Sequence, residues 1–231
     1  MNKHKTRNYE IIDAENAISP EIIKKCSGAY SKNKRFFGKD CKFFQIRIAN
    51  DEKEFKKLAG KYYLKYLKGV GIKGKIVIIR SLQTYKRNYK RFGGTSDFEI
   101  LLAHEINHIF SRQIHVYNGP FWFTEGLAMY VAGQVPGKTY KRKVMLTKEN
   151  ARFFMFYRLI MKKQSNEMYI FQYFGVKYLV DNFGKDKLLE LIRTYPEKSN
   201  KKEFENRFKK IYDITYASFL KEFVNSFSQE K

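Results

Sequence analysis

The alternation of apolar and polar positions predicts a small sheet in the first half of the chain. Residues 43–49 place Phe44, Ile46 and Ile48 on one face, as in a half-buried strand. Residues 75–80 contain a β-branched run and predict a second, well-buried strand. Two helices are predicted beside them, over residues 20–35, with Ser19 as the N-cap, and over residues 51–58.

From Ser96 onward the hydrophobic period becomes helical. Ser96 and Glu99 form a capping box before an apolar run, which predicts a helix over residues 97–112. Pro120 and Gly133 are start and stop signals for the next helix. Later helices are predicted over 147–163, 167–183 and 186–194, with two more capped by Asn200 and Thr215.

These elements predict an α+β fold in one domain, residues 1–231. A small N-terminal sheet lobe with helices, residues 1–95, precedes a mainly helical lobe, residues 96–231, with the active-site cleft between them. A chain of 231 residues can bury a core without disulfides or metals. A bound metal would therefore serve chemistry rather than folding.

Charge suggests a polyanionic partner without requiring one. The chain has 46 Lys and Arg against 23 Asp and Glu, and residues 1–95 alone carry 24 basic and 8 acidic residues. Such a field attracts nucleic acid and other polyanions. However, 34 of the basic residues are Lys, and the chain contains no zinc-finger, helix-turn-helix or RNP motif. A lysine-rich composition is the simpler interpretation.

Cysteine usage and hydropathy predict a cytoplasmic protein. Cys26 and Cys41 are too few for a disulfide scaffold, so both are expected to be reduced. The first residues lack the apolar segment of a signal peptide. No stretch approaches 18 consecutive apolar residues, so no membrane span is predicted.

The candidate chemistry lies in His104-Glu105-Ile-Asn-His108. On a helix, positions i and i+4 share one face, so two imidazoles can bind one metal ion. Glu105 lies about 100° around the helix and can reach a metal-bound water, as in H-E-x-x-H zinc hydrolases. The alternative is a polar stripe on a surface helix. The apolar neighbours argue against it, because buried imidazoles need partners.

A catalytic zinc site requires a third protein ligand and one open position. Glu125 lies within the apolar stretch 121–132, where an unpaired carboxylate would be destabilising. Coordination of zinc would remove that penalty. His115, seven residues after His108, is the competing ligand, but the glycine and third histidine of the metzincin pattern are absent. Glu125 is therefore favoured.

The pair H-E-x-x-H and W-x-x-E-G-x-A-x-Y resembles the gluzincin peptidases, which include thermolysin-like enzymes and the large zinc aminopeptidases. The resemblance implies Zn²⁺ bound by His104, His108 and Glu125, with Glu105 as general base. The segment YIFQYFGVKYL is similar to the family's oxyanion helix, which implies that Tyr169 is the hydrogen-bond donor. Tyr173, one turn away, and a packing role for Tyr169 are the alternatives.

One family feature is missing. The large aminopeptidases use a Gly-x-Met-Glu-Asn strand to bind the substrate's amine, whereas residues 91–96 here read RFGGTS. The expected activity is therefore zinc-dependent endopeptidase cleavage of a peptide or protein laid along an edge strand. The alternatives are a nucleic-acid-associated metalloprotease and a non-catalytic, metal-binding module of gluzincin type.

Overall fold

The fold is α+β, as the hydrophobic pattern predicts. The computed structural model describes residues 1–65, 67–84, 98–114, 120–135, 166–194 and 201–228. The chain forms two compact units, one of Met1–Gln113 with Val131–Gln134 and one of Ile114–Tyr130 with Val135–Lys231. The predicted lobe boundary at residue 95 stays a prediction.

A five-stranded sheet lies in the first unit. Its strands are β1 (Asn2–Lys5), β2 (Tyr9–Asp13), β3 (Phe44–Ala49), β4 (Gly69–Ile72) and β5 (Ile76–Arg80), in the order β1-β2-β3-β5-β4. The three inner strands are parallel, and β1 and β4 are antiparallel additions at the two ends. The β-branched run of β5 is buried and has a strand on each side, which explains its lack of alternation.

Among the described residues, three α-helices accompany this sheet: α1 (Pro20–Phe37), α2 (Glu52–Ala59) and α3 (Phe98–Gln113). The Ser19 hydroxyl accepts the Ile22 N–H at 3.3 Å, which confirms the predicted N-cap of α1. The predicted helix over 97–112 is α3. Ser96 lies outside the described residues, so its capping role stays a prediction.

A buried amide network fixes α3 against α1. Asn33 is fully buried, and its Nδ2 donates to the Ala103 carbonyl at 2.9 Å. Asn107 Nδ2 in turn donates to Asn33 Oδ1 at 3.0 Å. Because buried amides are strongly disfavoured without partners, these bonds restrict rotation of α3 about its axis. They thereby set the direction in which the neighbouring His104 and His108 side chains project.

The described part of the second unit is helical around an aromatic core. Its helices are α4 (Phe121–Ala132), α5 (Asn166–Phe183), α6 (Lys185–Thr194), α7 (Lys201–Tyr212) and α8 (Tyr216–Ser228), with the last two residues of α4 grouped in the first unit. Trp122 is fully buried and packs on Phe204, Tyr216 and Phe219 at centroid distances of 6.0–6.4 Å. The helix predicted over 147–163 lies outside the described residues.

None of the helices in the described part of the chain combines the length and the apolar character that crossing a membrane requires.

Candidate metal centre

Helix α3 directs two imidazoles at one point. His104 is buried and His108 is partly buried, and their Nε2 atoms are 3.2 Å apart. The rings meet edge to face, with centroids 4.9 Å apart and an interplanar angle of 80°. Two nitrogens bound tetrahedrally at about 2.0–2.1 Å from zinc would be roughly 3.4 Å apart. The observed spacing is therefore close to that of two ligands of one ion.

Glu125 supplies the third donor of this group. Among the described residues, one ligand atom each of His104, His108 and Glu125 lies within 4.8 Å of the others. Glu125 is on α4, and Glu105 does not belong to the group. Two imidazoles and one carboxylate form a mixed N and O donor set, which suits a catalytic zinc site with an open position. The residues present therefore fit the metal that the sequence predicts.

The Gln134 side chain contacts the other ring nitrogen of His104. Its Oε1 lies 3.0 Å from His104 Nδ1. Gln134 follows Gly133, which ends α4 in the left-handed conformation at φ 74°. The sequence predicts the helix end at Gly133 but contains no signal for this contact, because the spacing from His104 is a tertiary property.

The candidate base Glu105 is buried against strand β4, with only 7% of its surface exposed. An ideal Cβ on Gly69 would lie 2.8 Å from Glu105 Cγ and 3.0 Å from Oε1. A Cβ on Gly71 would lie 3.1 Å from both the Glu105 carbonyl oxygen and His108 Cβ. Because Gly69 and Gly71 have no side chains, β4 leaves space for the face of α3 that carries Glu105 and His108.

The structure describes the remaining candidates only in part. The backbone of Tyr169 belongs to α5, but its side chain and all of His115 lie outside the described residues. Tyr173 is buried, its ring centroid is 6.2 Å from that of Tyr130, and burial raises the pKa of its hydroxyl. Tyr173 thus keeps the proton that a hydrogen-bond donor requires. The choice between Tyr169 and Tyr173 stays a prediction.

Cys26 and Cys41 do not offer an alternative nucleophile. Both are free, and burial raises the pKa of each thiol to about 12. Since the thiolate is the reactive form, neither side chain is activated at neutral pH.

Comparison with known proteins adds no family assignment: no family model matches the chain, and no curated protein matches it. The resemblance to gluzincins therefore rests on the motif residues themselves.

Proposed function

We propose that this chain is a zinc-dependent metallopeptidase of gluzincin type that cleaves internal peptide bonds. The observation that carries the proposal is the group of His104, His108 and Glu125 within ligand distance of one another. Glu105, in the general-base position of the motif, strengthens it because it is buried next to the first histidine. A surface stripe of polar residues would not have these properties.

Each residue has a separate task in the proposed reaction. His104, His108 and Glu125 would hold the zinc ion, which would supply a Lewis acid that polarises a carbonyl group and lowers the pKa of bound water. The Glu105 carboxylate accepts the proton of the attacking water and then donates it to the leaving nitrogen. The tyrosine of α5, Tyr169 or Tyr173, donates a hydrogen bond to the oxygen that becomes negative.

Strand β4 provides the supporting observation for peptide binding. It is the terminal strand in the described sheet. Arg80 N–H donates to the Lys68 carbonyl, so the pairs Gly69–Ile79 and Gly71–Val77 are the non-hydrogen-bonded ones. The backbone polar groups of Gly69 and Gly71 therefore point away from β5, where the Gly71 carbonyl accepts a hydrogen bond from Arg112 at 3.1 Å. An extended peptide that paired with this edge would run beside Glu105, which favours endopeptidase activity.

A cytoplasmic location is part of the same proposal. It rests on the two free cysteines, which are typical of a reducing compartment.

The proposal is tested by zinc content and proteolysis on the same preparations. Wild type should bind stoichiometric zinc and cleave casein or a peptide library with free and blocked amino termini. Glu105→Gln should keep the zinc and lose about 10²–10⁴-fold in kcat, because it removes the proton acceptor alone. Glu125→Ala should lose zinc and activity together. Glu99→Gln, on the same helix and paired with Lys32 at 3.0 Å, is the matched control.

Each outcome has a distinct meaning. Equal activity of wild type and Glu105→Gln would refute the mechanism. Zinc binding without cleavage of any library member would instead support the non-catalytic, metal-binding module. Cleavage only of peptides with free amino termini would indicate aminopeptidase rather than endopeptidase activity.

A further inference from the structure

The contact between Gln134 and His104 bears on which imidazole nitrogen carries the proton. A side-chain amide oxygen only accepts hydrogen bonds, so Oε1 at 3.0 Å from Nδ1 requires a proton on Nδ1. The lone pair of the neutral ring is then on Nε2. That atom is the one that lies 3.2 Å from His108 Nε2. The contact thus selects the tautomer that can bind a metal through Nε2.

The end of α4 places Gln134 at this position. Gly133 adopts φ 74°, a left-handed conformation that side chains other than glycine rarely adopt. The turn directs the chain back after Ala132, and Gln134 becomes partly buried. The same helix also carries Glu125, nine residues earlier. One helix and its C-cap therefore deliver both a candidate ligand and a hydrogen-bond acceptor for a ligand.

We infer that Gln134 is a positioning residue that holds His104 in the Nδ1–H tautomer and orients its Nε2 toward the metal. The inference rests on the metal centre in the proposed function. It adds a residue that hydrogen-bonds one of the ligands without itself binding the metal. Metal-binding histidines usually donate their second nitrogen's proton to a carboxylate or carbonyl, and loss of that partner weakens metal binding by about 10–100-fold. A glutamine oxygen performs the same task without adding a charge.

Two measurements test the inference, and the first needs no metal. Nitrogen-15 spectra of the metal-free protein, above the pH at which imidazole is protonated, distinguish the two tautomers of each ring. The chain has only 4 His, and His104→Gln identifies the His104 signals. Wild type should show protonated Nδ1. Gln134→Met, which keeps side-chain length but removes the acceptor, should shift His104 toward the Nε2–H form, and Gln134→Glu should retain Nδ1–H.

The second measurement is zinc affinity, from competition with a chromophoric chelator. Gln134→Met should bind zinc about 10–100-fold more weakly than wild type, and Gln134→Glu should bind at least as tightly as wild type. Gln83→Met is the matched control, because it makes the same change at an exposed position and should leave affinity unchanged. Thermal melts of the metal-free variants identify any loss of folding, and rescue by Gln134→Glu separates loss of the acceptor from general damage.

Failure of this inference is distinguishable from failure of the proposed function. Gln134 is not a positioning residue if Gln134→Met keeps the Nδ1–H tautomer of His104. The same conclusion follows if Gln134→Met binds zinc as tightly as wild type. In either case the metal centre stands as long as Glu125→Ala loses zinc. If wild type binds no zinc, the proposed function fails, and with it the metal-directed part of this inference.

Discussion

At the scale of single residues, the Glu105 carboxylate depends on the absence of a side chain at Gly69. The position that a Cβ would take lies 2.8 Å from Glu105 Cγ, a separation at which one of the two groups must move. Strand β4 and the turn after it are held to α3, since Arg112 donates to the Gly71 carbonyl at 3.1 Å and Gln113 donates to the Gly74 carbonyl at 2.8 Å. Glu105 is therefore the group that would shift.

Gly69→Ala should lower peptidase activity without removing the metal. We expect kcat to fall by about 10–100-fold, because a displacement of about 1 Å at a catalytic group has an effect of that size. Zinc content should stay at the wild-type level, since Glu105 is not one of the three ligands. Both quantities are measured on one preparation.

The neighbouring glycine is the comparison for that experiment. A Cβ on Gly71 would meet His108 Cβ at 3.1 Å, so Gly71→Ala should weaken zinc binding. Full activity of Gly69→Ala would show that Glu105 tolerates displacement and would argue against its role as the base.

The sequence could predict which three side chains come together at the candidate site, but not what surrounds them. His104, His108 and Glu125 follow from helical spacing and from the scarcity of acids in an apolar stretch, both of which are local signals. Gln134, Gly69 and Gly71 are brought to the motif by tertiary packing. A glycine in a short strand and a glutamine after a helix have many ordinary explanations, so neither indicates a site in the sequence.

At the scale of elements, the contact between α4 and α5 depends on Gly126. An ideal Cβ there would lie 2.1 Å from the Gln172 carbonyl oxygen and 2.9 Å from Val176 Cγ2. The first of these atoms belongs to the backbone of α5, which cannot rotate away. The helices therefore approach closely at the residue that follows Glu125.

Gly126→Ala should destabilise the protein although alanine is the better helix former. Forcing the two backbones apart is an overpacking change of about 1–3 kcal/mol, which exceeds the helix-propensity gain of about 1 kcal/mol at its upper end. Urea unfolding measures the net effect. Gly28→Ala, also within a helix, is the control, because the three atoms nearest to its Cβ would all belong to the flexible side-chain carboxylate of Glu99. An unchanged midpoint for Gly126→Ala would show that α4 and α5 can separate freely.

Elements with strong periodicity were predictable, and those completed by pairing were not. The strands β3 and β5 and the helices α1, α3 and α4 have clear patterns or caps, and the structure confirms them. Strand β4 contains two glycines in four residues, a composition with low strand propensity, and forms by pairing with β5. Strand β2 pairs in parallel with β3, over thirty residues away, which no local pattern specifies.

At the scale of the whole molecule, the net charge of +23 acts against compaction. Two like charges about 20 Å apart repel by about 0.2 kcal/mol in water, and a chain with this imbalance contains many such pairs. The ion pairs of the described residues, such as Lys32–Glu99 and Lys34–Asp40 at 3.0 Å, are partly exposed, and pairs of that kind contribute about 0–1 kcal/mol each. Repulsion should therefore outweigh local attraction.

This balance predicts that salt stabilises the protein. Raising NaCl from about 0.01 to about 0.15 M shortens the screening length from about 30 to about 8 Å, which weakens long-range repulsion more than contacts at 3 Å. The Tm should therefore rise by at least about 2 °C. At pH 9.8, the sequence pI, the same salt step should leave the Tm nearly unchanged, because the excess charge is gone. A Tm that falls with salt at pH 7 would show that attraction within ion pairs outweighs long-range repulsion. The basic residues would then stabilise the fold rather than form an unbalanced positive field that attracts polyanions.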